Sequence, residues 1–276
     1  PGERVQGMIH RDWPVYVAVG EDVRYVGDVL AVVVADSRRA ARDGALAVAV
    51  ELEALPPVTS PSAALADGAP AIHPGGNELS SPCLERGDLS AARAAAIHTA
   101  HDLFRVPSVE HAFLEPESCL ALPASWDGPT PDPVPDDCGG TLTVLSASQG
   151  TFADRRQIAS LLGLPEADVR VVLVPPGGGF GGKEDLSVQS HAALAAVRCE
   201  APVNVTWGRA ESSLVHPTRH AMEVRMTVGC DAAGQLTHCE ADVLADTGAY
   251  ASMGAEVVER ATVHATGPYR FAAVRL

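Results

Sequence analysis

The 276-residue sequence contains no C-x-x-C pair, although six cysteines (Cys83, Cys119, Cys138, Cys199, Cys230 and Cys239) are scattered along it. This spacing fits neither a zinc module nor an iron–sulfur ligand set, so free thiols in a reducing compartment are the simpler reading. The ten histidines show no ligand spacing either, and no metal held by protein side chains is predicted. Positive charge is also scarce. Twenty Lys and Arg against 35 Asp and Glu leave a formal charge of −15, which argues against nucleic acid or an anionic membrane as partner. There is no apolar run long enough to span a bilayer and no basic region leading into an apolar core, so a cytoplasmic location is expected. What is present is an ordinary globular composition, 46% hydrophobic and 20% charged, with length for one large or two modest domains.

The patterning predicts a mixed α+β protein with α/β units. Residues 29–35 form a continuous apolar run suited to a buried strand. Asp36 or Ser37 can cap a helix from Arg38 to about Val48, and residues 48–53 read as a second strand. Residues 60–90, rich in Ala, Pro, Gly and Ser, read as a surface connector. Extended character resumes over 103–120, and 125–140, dense in proline and aspartate, is a loop. A short strand at 142–146 precedes a helix at 151–162 ended by Gly163. Alternation over 222–228, a turn at 231–234 and a return over 235–245 predict a hairpin.

The densest signal is Gly177-Gly178-Gly179-Phe180-Gly181-Gly182-Lys183-Glu184, set between a predicted strand at 169–174 and a predicted helix at 185–198. Five glycines in six positions let the backbone approach a bound group closely. A strand-to-helix junction adds N–H groups and a helix dipole that favour an electron-rich ligand. Gly177, Gly182 and Lys183 match the start of a phosphate-binding loop, but Glu184 and Asp185 stand where a hydroxyl is needed and would repel a polyphosphate. Gly177, Gly179 and Gly182 match a dinucleotide fingerprint. Its ribose-binding acid is missing from the strand end, with Glu211 the nearest candidate. A non-redox nucleotide-binding module therefore stays open. Glu110, His111, Glu115 and Glu117 suggest a metal site at first sight. His111 has no second histidine at helical spacing and the cluster straddles Pro116, so packing is the better reading.

Six blocks, in order, carry a resemblance. They are the glycine run, Tyr25-Val26-Gly27-Asp28, the Glu110–Glu117 stretch, Ser148-Gln149, Asp246-Thr247-Gly248-Ala249-Tyr250 and Gly267-Pro268-Tyr269-Arg270. Together they resemble the large, molybdenum-binding subunit of the xanthine dehydrogenase and aldehyde oxidase family, in its xanthine dehydrogenase-like branch. The resemblance implies an α/β hammerhead domain over 1–60, a connector over 61–100 and the first part of a molybdopterin-binding domain over 101–276. It implies a molybdenum–molybdopterin cofactor, with the cytosine dinucleotide form as one option, held through its dithiolene and not by side chains. Iron–sulfur (2Fe-2S) and FAD centres are then expected on other domains or subunits, in an oligomer of heteromers.

Residue by residue, Gln149 resembles the glutamine that hydrogen-bonds the molybdenum oxo group. Gly178, Gly179, Phe180 and Gly181 match the segment lying against molybdenum and pterin. Glu184 and Arg275 match the two purine-binding positions, one accepting hydrogen bonds and the other offsetting anionic charge. The implied activity is hydroxylation of hypoxanthine or xanthine, with aldehyde or other N-heterocycle oxidation as the alternatives. The family's glutamate base sits in a Gly-x-Gly-Glu context that is absent from these 276 residues. It is expected beyond Leu276, so the chain reads as a segment of a longer polypeptide, inactive alone.

Overall fold

The computed structural model describes residues 3–132 and 140–276. Cys138 and much of the predicted 125–140 loop lie outside the described residues. In chain order, strands β1 (Val5–Gln6) and β2 (Trp13–Pro14) precede helices α1 (Arg38–Leu46) and α2 (Pro61–Ala64). Strand β3 (Glu85–Arg86), helix α3 (Leu89–Ala95) and strands β4 (His98–Val106), β5 (Ser118–Pro123) and β6 (Leu142–Ser146) follow. Next come α4 (Thr151–Leu162), β7 (Val169–Leu173), α5 (Gln189–Cys199), β8 (Val203–Thr206) and α6 (Arg209–Val215). The last elements are β9 (Met222–Cys230), β10 (Leu236–Ala245), α7 (Gly254–His264) and β11 (Ala273–Arg275). The mixture of helix and sheet is that of the expected α+β class. The chain divides into two compact units, one joining the residues up to Glu53 with Glu110–Thr218, the other joining Ala54–Val109 with Arg219–Leu276.

The first unit is built on a four-stranded sheet in the order β7-β6-β5-β8. β6 and β7 run parallel, so their connection must cross over, and α4 makes that crossing. The sequence stops α4 sharply: Gly163 adopts φ 70°, its N–H donates to Ser160 O, and the Leu164 N–H donates to Ala159 O at 2.9 Å. Only a residue that tolerates the left-handed region closes a helix this way. Leu142 and Val144 of β6 point to the helical face, where Ile158, Val188 and Ala192 complete a buried core. Leu145 points to the opposite face with Leu122. The N-terminal segment is tied onto this core: Gln6 Nε2 donates to Leu186 O at 3.2 Å, and Ser190 Oγ donates to Gln6 Oε1 at 2.5 Å.

The second unit carries a five-stranded sheet in the order β3-β11-β10-β9-β4. The predicted hairpin is its spine. Asp231 Oδ1 accepts from the N–H groups of Ala233 and Gln235, both at 2.9 Å, and Gly234 at φ 78° completes the turn.

Two expectations fail. Residues 29–35 and 48–53 form no strand, and Leu30, Val32, Val34, Val48 and Val50 are exposed. A strand's backbone groups need a neighbouring strand, and among the described residues none pairs with either run. Only the intervening helix appears, α1, capped by Ser37, whose hydroxyl accepts from Ala40 N–H at 3.2 Å. The helix predicted from 185 begins instead at Gln189. Gln189 Oε1 accepts from Ser187 N–H at 2.8 Å while its Nε2 donates to Ser146 Oγ, and Gln189, Ser190 and His191 are all buried. The helix therefore starts at a buried position past the glycine loop and does not follow it directly.

Candidate functional site

The loop after β7 is braced from two sides within the first unit. On one side, Glu115 Oε2 accepts from Gly177 N–H at 2.6 Å, and Glu115 N–H donates to Gly177 O at 3.3 Å. On the other, Gln149 Oε1 accepts from Gly181 N–H at 2.9 Å and from Lys183 N–H at 3.2 Å, while Gln149 N–H donates to Lys183 O at 2.9 Å. Inside the loop, Gly182 N–H donates to Gly179 O at 2.9 Å.

These contacts leave a defined remainder. Among the described residues, the consecutive N–H groups of Gly178, Gly179 and Phe180 have no partner, and neither does the Gln149 side-chain nitrogen. Because both loop N–H groups claim the Gln149 oxygen, its NH2 is the end left for a ligand. Gln149 is exposed, and the Phe180 ring stands out at 74% exposure with its backbone at φ 56°. Bulky residues seldom adopt that conformation, so the surroundings enforce it.

The glycines serve the wall behind the loop as much as the space in front. A Cβ at Gly177 would lie 2.5 Å from Glu115 Cβ, and one at Gly182 would lie 2.8 Å from His111 Nδ1 and 2.9 Å from Phe113 Cε1. Glu115, His111 and Phe113 of the Glu110–Glu117 stretch thus pack directly behind the loop. Among the described residues no group of His, Cys, Asp or Glu could hold a metal ion. Phe113 is fully buried, and Arg209 of α6 fixes its backbone by donating from Nη2 to Phe113 O and Leu114 O. His216 stands between two carboxylates, with Nε2 2.8 Å from Glu110 and Nδ1 3.1 Å from Glu117, at angles off the hydrogen-bonding line. Burial pushes the Glu117 carboxyl up, but His216, the peptide N–H and Ser212 outweigh it and hold the group below its ordinary value.

Beneath the loop lies a buried carboxylate absent from the sequence reading. Asp154, in the first turn of α4, is fully buried, and neither of its oxygens has an aligned partner. Burial pushes its pKa up to about 6, the nearby Asp185 adds to the shift and Ser148 opposes it. Asp154 could have been suspected only from its spacing, which puts it on the inward face of α4 with Gln157, Ile158 and Leu161.

Gln149, Gly178, Gly179, Phe180 and Gly181 are thus brought together on one surface, and Glu184 follows directly, half-buried and without a protein partner among the described residues. Arg275 lies in the second unit, on β11, where its Nη2 is 3.2 Å from Glu240 Oε2. Arg93 already engages both oxygens of Glu240, and chiefly for that reason the carboxyl is held below its usual range.

Residues 72–276 match the family described as the molybdopterin cofactor-binding domain. The chain belongs to that family. It is 35% identical across its whole length to the nicotinate dehydrogenase large molybdopterin subunit of Eubacterium barkeri, of which it covers 61%. It is 31% identical to the xanthine dehydrogenase of Blastobotrys adeninivorans, with 95% of this chain matched and 17% of that protein covered. Among solved structures, the aldehyde oxidoreductase of Desulfovibrio gigas superposes with a TM-score of 0.85 at 27% identity, over 99% of this chain and 30% of that one. The chain therefore spans less than two thirds of these relatives' lengths. Its recognisable part is the molybdopterin-binding region of the xanthine dehydrogenase and aldehyde oxidoreductase type.

The residues present fit such a cofactor. An anionic, oxygen- and sulfur-rich group needs donors and no side-chain ligands, and that is what Gly178, Gly179, Phe180 and Gln149 offer.

Proposed function

We propose that this chain forms one wall of the active site of a molybdenum hydroxylase acting on a purine, converting hypoxanthine or xanthine to urate. The observation that carries the reading is the row of unpaired N–H groups at Gly178, Gly179 and Phe180 beside the free Gln149 amide nitrogen. When bound, the molybdenum–molybdopterin group, in its plain or cytosine dinucleotide form, supplies a two-electron redox centre that inserts oxygen from water next to a ring nitrogen. Gln149 donates to that group, while its carbonyl keeps the loop in shape. Glu184, carrying no protein partner, accepts from a ring N–H. Arg275 offsets anionic charge on the substrate, since Arg93 alone already satisfies Glu240. The general base, a glutamate in Gly-x-Gly-Glu context, comes from chain beyond Leu276, and this segment alone is inactive.

In the same reading residues 1–60 belong to a hammerhead-like domain, 61–100 connect, and 101–276 begin the molybdopterin-binding domain. Electrons pass to 2Fe-2S and FAD centres on partner domains or subunits of a cytoplasmic heteromeric oligomer. Among the described residues no helix is long and apolar enough to cross a membrane. A non-purine N-heterocycle is the second reading, favoured by the relative named for nicotinate.

Purification of the intact protein with its partners tests all of this. Molybdenum, extractable pterin and xanthine turnover are expected. Aldehyde turnover without xanthine turnover would sink the purine assignment, and nicotinate turnover alone would select the second reading. A bound adenine nucleotide without molybdenum would replace redox chemistry with a nucleotide-binding module.

A further inference from the structure

Lys183 has the position of a phosphate-binding lysine but does not behave like one. Its side chain is 3% exposed, and its Nζ lies 3.6 Å from Glu115 Oε2 and 4.6 Å from the centroid of the buried Phe113 ring. No hydrogen-bonding atom reaches Nζ in line. It is also the only lysine among the 276 residues, every other member of the Lys and Arg set being arginine. A compact ammonium on a flexible stem fits between a ring face and a carboxylate where a planar guanidinium would not.

We propose that the buried Lys183 and the half-buried Glu115 form a clamp that joins the two ends of the glycine loop and thereby sets the shape that receives the cofactor. This rests on the cofactor reading above. Glu115 is the shared element: its Oε2 takes the Gly177 N–H at the loop's entrance and faces Lys183 Nζ at its exit. Lys183 in turn gives its peptide N–H and C=O to Gln149. Entrance, exit and glutamine are therefore one connected network, and the ends of the loop cannot spread without separating a buried charge from its partner. Leaving one such charge alone is far costlier than removing both. Lys183 is a positioning residue here and touches no ligand.

The test uses the intact protein with its partner subunits. Reductive methylation followed by peptide mass spectrometry should modify Lys183 about tenfold more slowly than exposed amines in the native wild type, with Glu115→Gln removing the protection. Lys183→Met and Glu115→Gln should each lower molybdenum and pterin content about tenfold, the usual scale for residues supporting a metal site from behind. The double variant, having no lone buried charge, should lose no more than the worse single one. Rapid labelling of Lys183 in the native wild type would overturn the clamp, as would folded single variants with full cofactor, or losses that multiply in the double variant. Should the wild type contain no molybdenum, the cofactor reading falls, and the labelling by itself still decides whether the clamp exists.

Discussion

The stretches 29–35, wholly apolar, and 142–146, where Thr143 and Ser146 interrupt the apolar residues, both read as strands in sequence but differ in the fold. Residues 142–146 are buried throughout, paired with β5 on one side and β7 on the other, with Val144 fully enclosed. Residues 29–35 have no strand beside them among the described residues, and Val32 and Val34 are 37% and 44% exposed. A hydrophobic run specifies that something must cover it, and not what does. The first unit therefore has a packed half, 110–218, and an open half, 19–53, and the same chemical change should have different consequences in the two.

The largest contrast is a buried charge. Val144→Asp should cost about 4 kcal/mol or more and unfold the unit, whereas Val32→Asp should stay within about 0.5 kcal/mol. Urea denaturation of both variants measures this, and equal losses would show that residues 29–35 are covered after all.

Next is pH dependence, confined to the packed half. Burial lowers the His191 pKa to about 4, and Asp154 titrates near 6. The folded state therefore binds the Asp154 proton more tightly than the unfolded chain, so this group's contribution declines as pH rises from about 4 to 6. His191 has the opposite sign, because its folded pKa lies below the unfolded value of 6.5, and its contribution grows as pH rises from about 4 to 6.5. The two slopes oppose each other. Asp154→Asn should unmask His191, giving a stability that falls by about 1.4 kcal/mol per pH unit on acidification through that window. Thermal midpoints across that same pH range give the answer, and an unchanged profile would mean that Asp154 is not the compensating group.

Third, a methyl group meets the same formal obstacle in each half. A Cβ at Gly182 would approach Phe113 Cε1 to 2.9 Å, and one at Gly44 would approach Val33 Cγ1 to 2.9 Å. Phe113 is locked in the core, so Gly182→Ala should cost about 2 kcal/mol. Val33 is half-buried and can move, and alanine suits helix α1 better than glycine, so Gly44→Ala should be neutral within about 0.5 kcal/mol. Equal losses in chemical denaturation would mean that Val33 is as constrained as Phe113. Smallest of all, Arg39→Ala in the exposed Arg39–Asp43 pair should change stability by about 0.3 kcal/mol or less.

The same contrast explains what the sequence could disclose. Strand β6, helix α4 with its Gly163 stop and the β9–β10 hairpin were legible because local periodicity and turn residues define them. Helices α6 and α7 and strand β11 went unread: α6 and β11 are short, and α7, though amphipathic, has no capping side chain to mark its start. At the site, the glycine run stands out from spacing alone and Pro116 argues for a packing role of Glu110–Glu117, whereas Gln149 is singled out only through the family resemblance. The inward turn of Lys183 could not be anticipated, since its burial depends on Phe113 and Glu115, far earlier in the chain. Nor could the late start of α5, where Gln189 Oε1 instead holds the N–H of Ser187 in the turn before the helix.

The tether between Gln6 and Ser190 has a consequence in time. The two residues are 184 positions apart, and Gln6 also depends on Leu186 for its other hydrogen bond. At about 5–20 residues per second of synthesis, Gln6 waits roughly 10 to 40 seconds for Ser190 to be made. For that interval the ribosome-bound chain exposes Trp13, Val15 and Val17, all buried in the finished fold. Residues translated early in this stretch are among the last to be housed, and a chaperone has longest to act there.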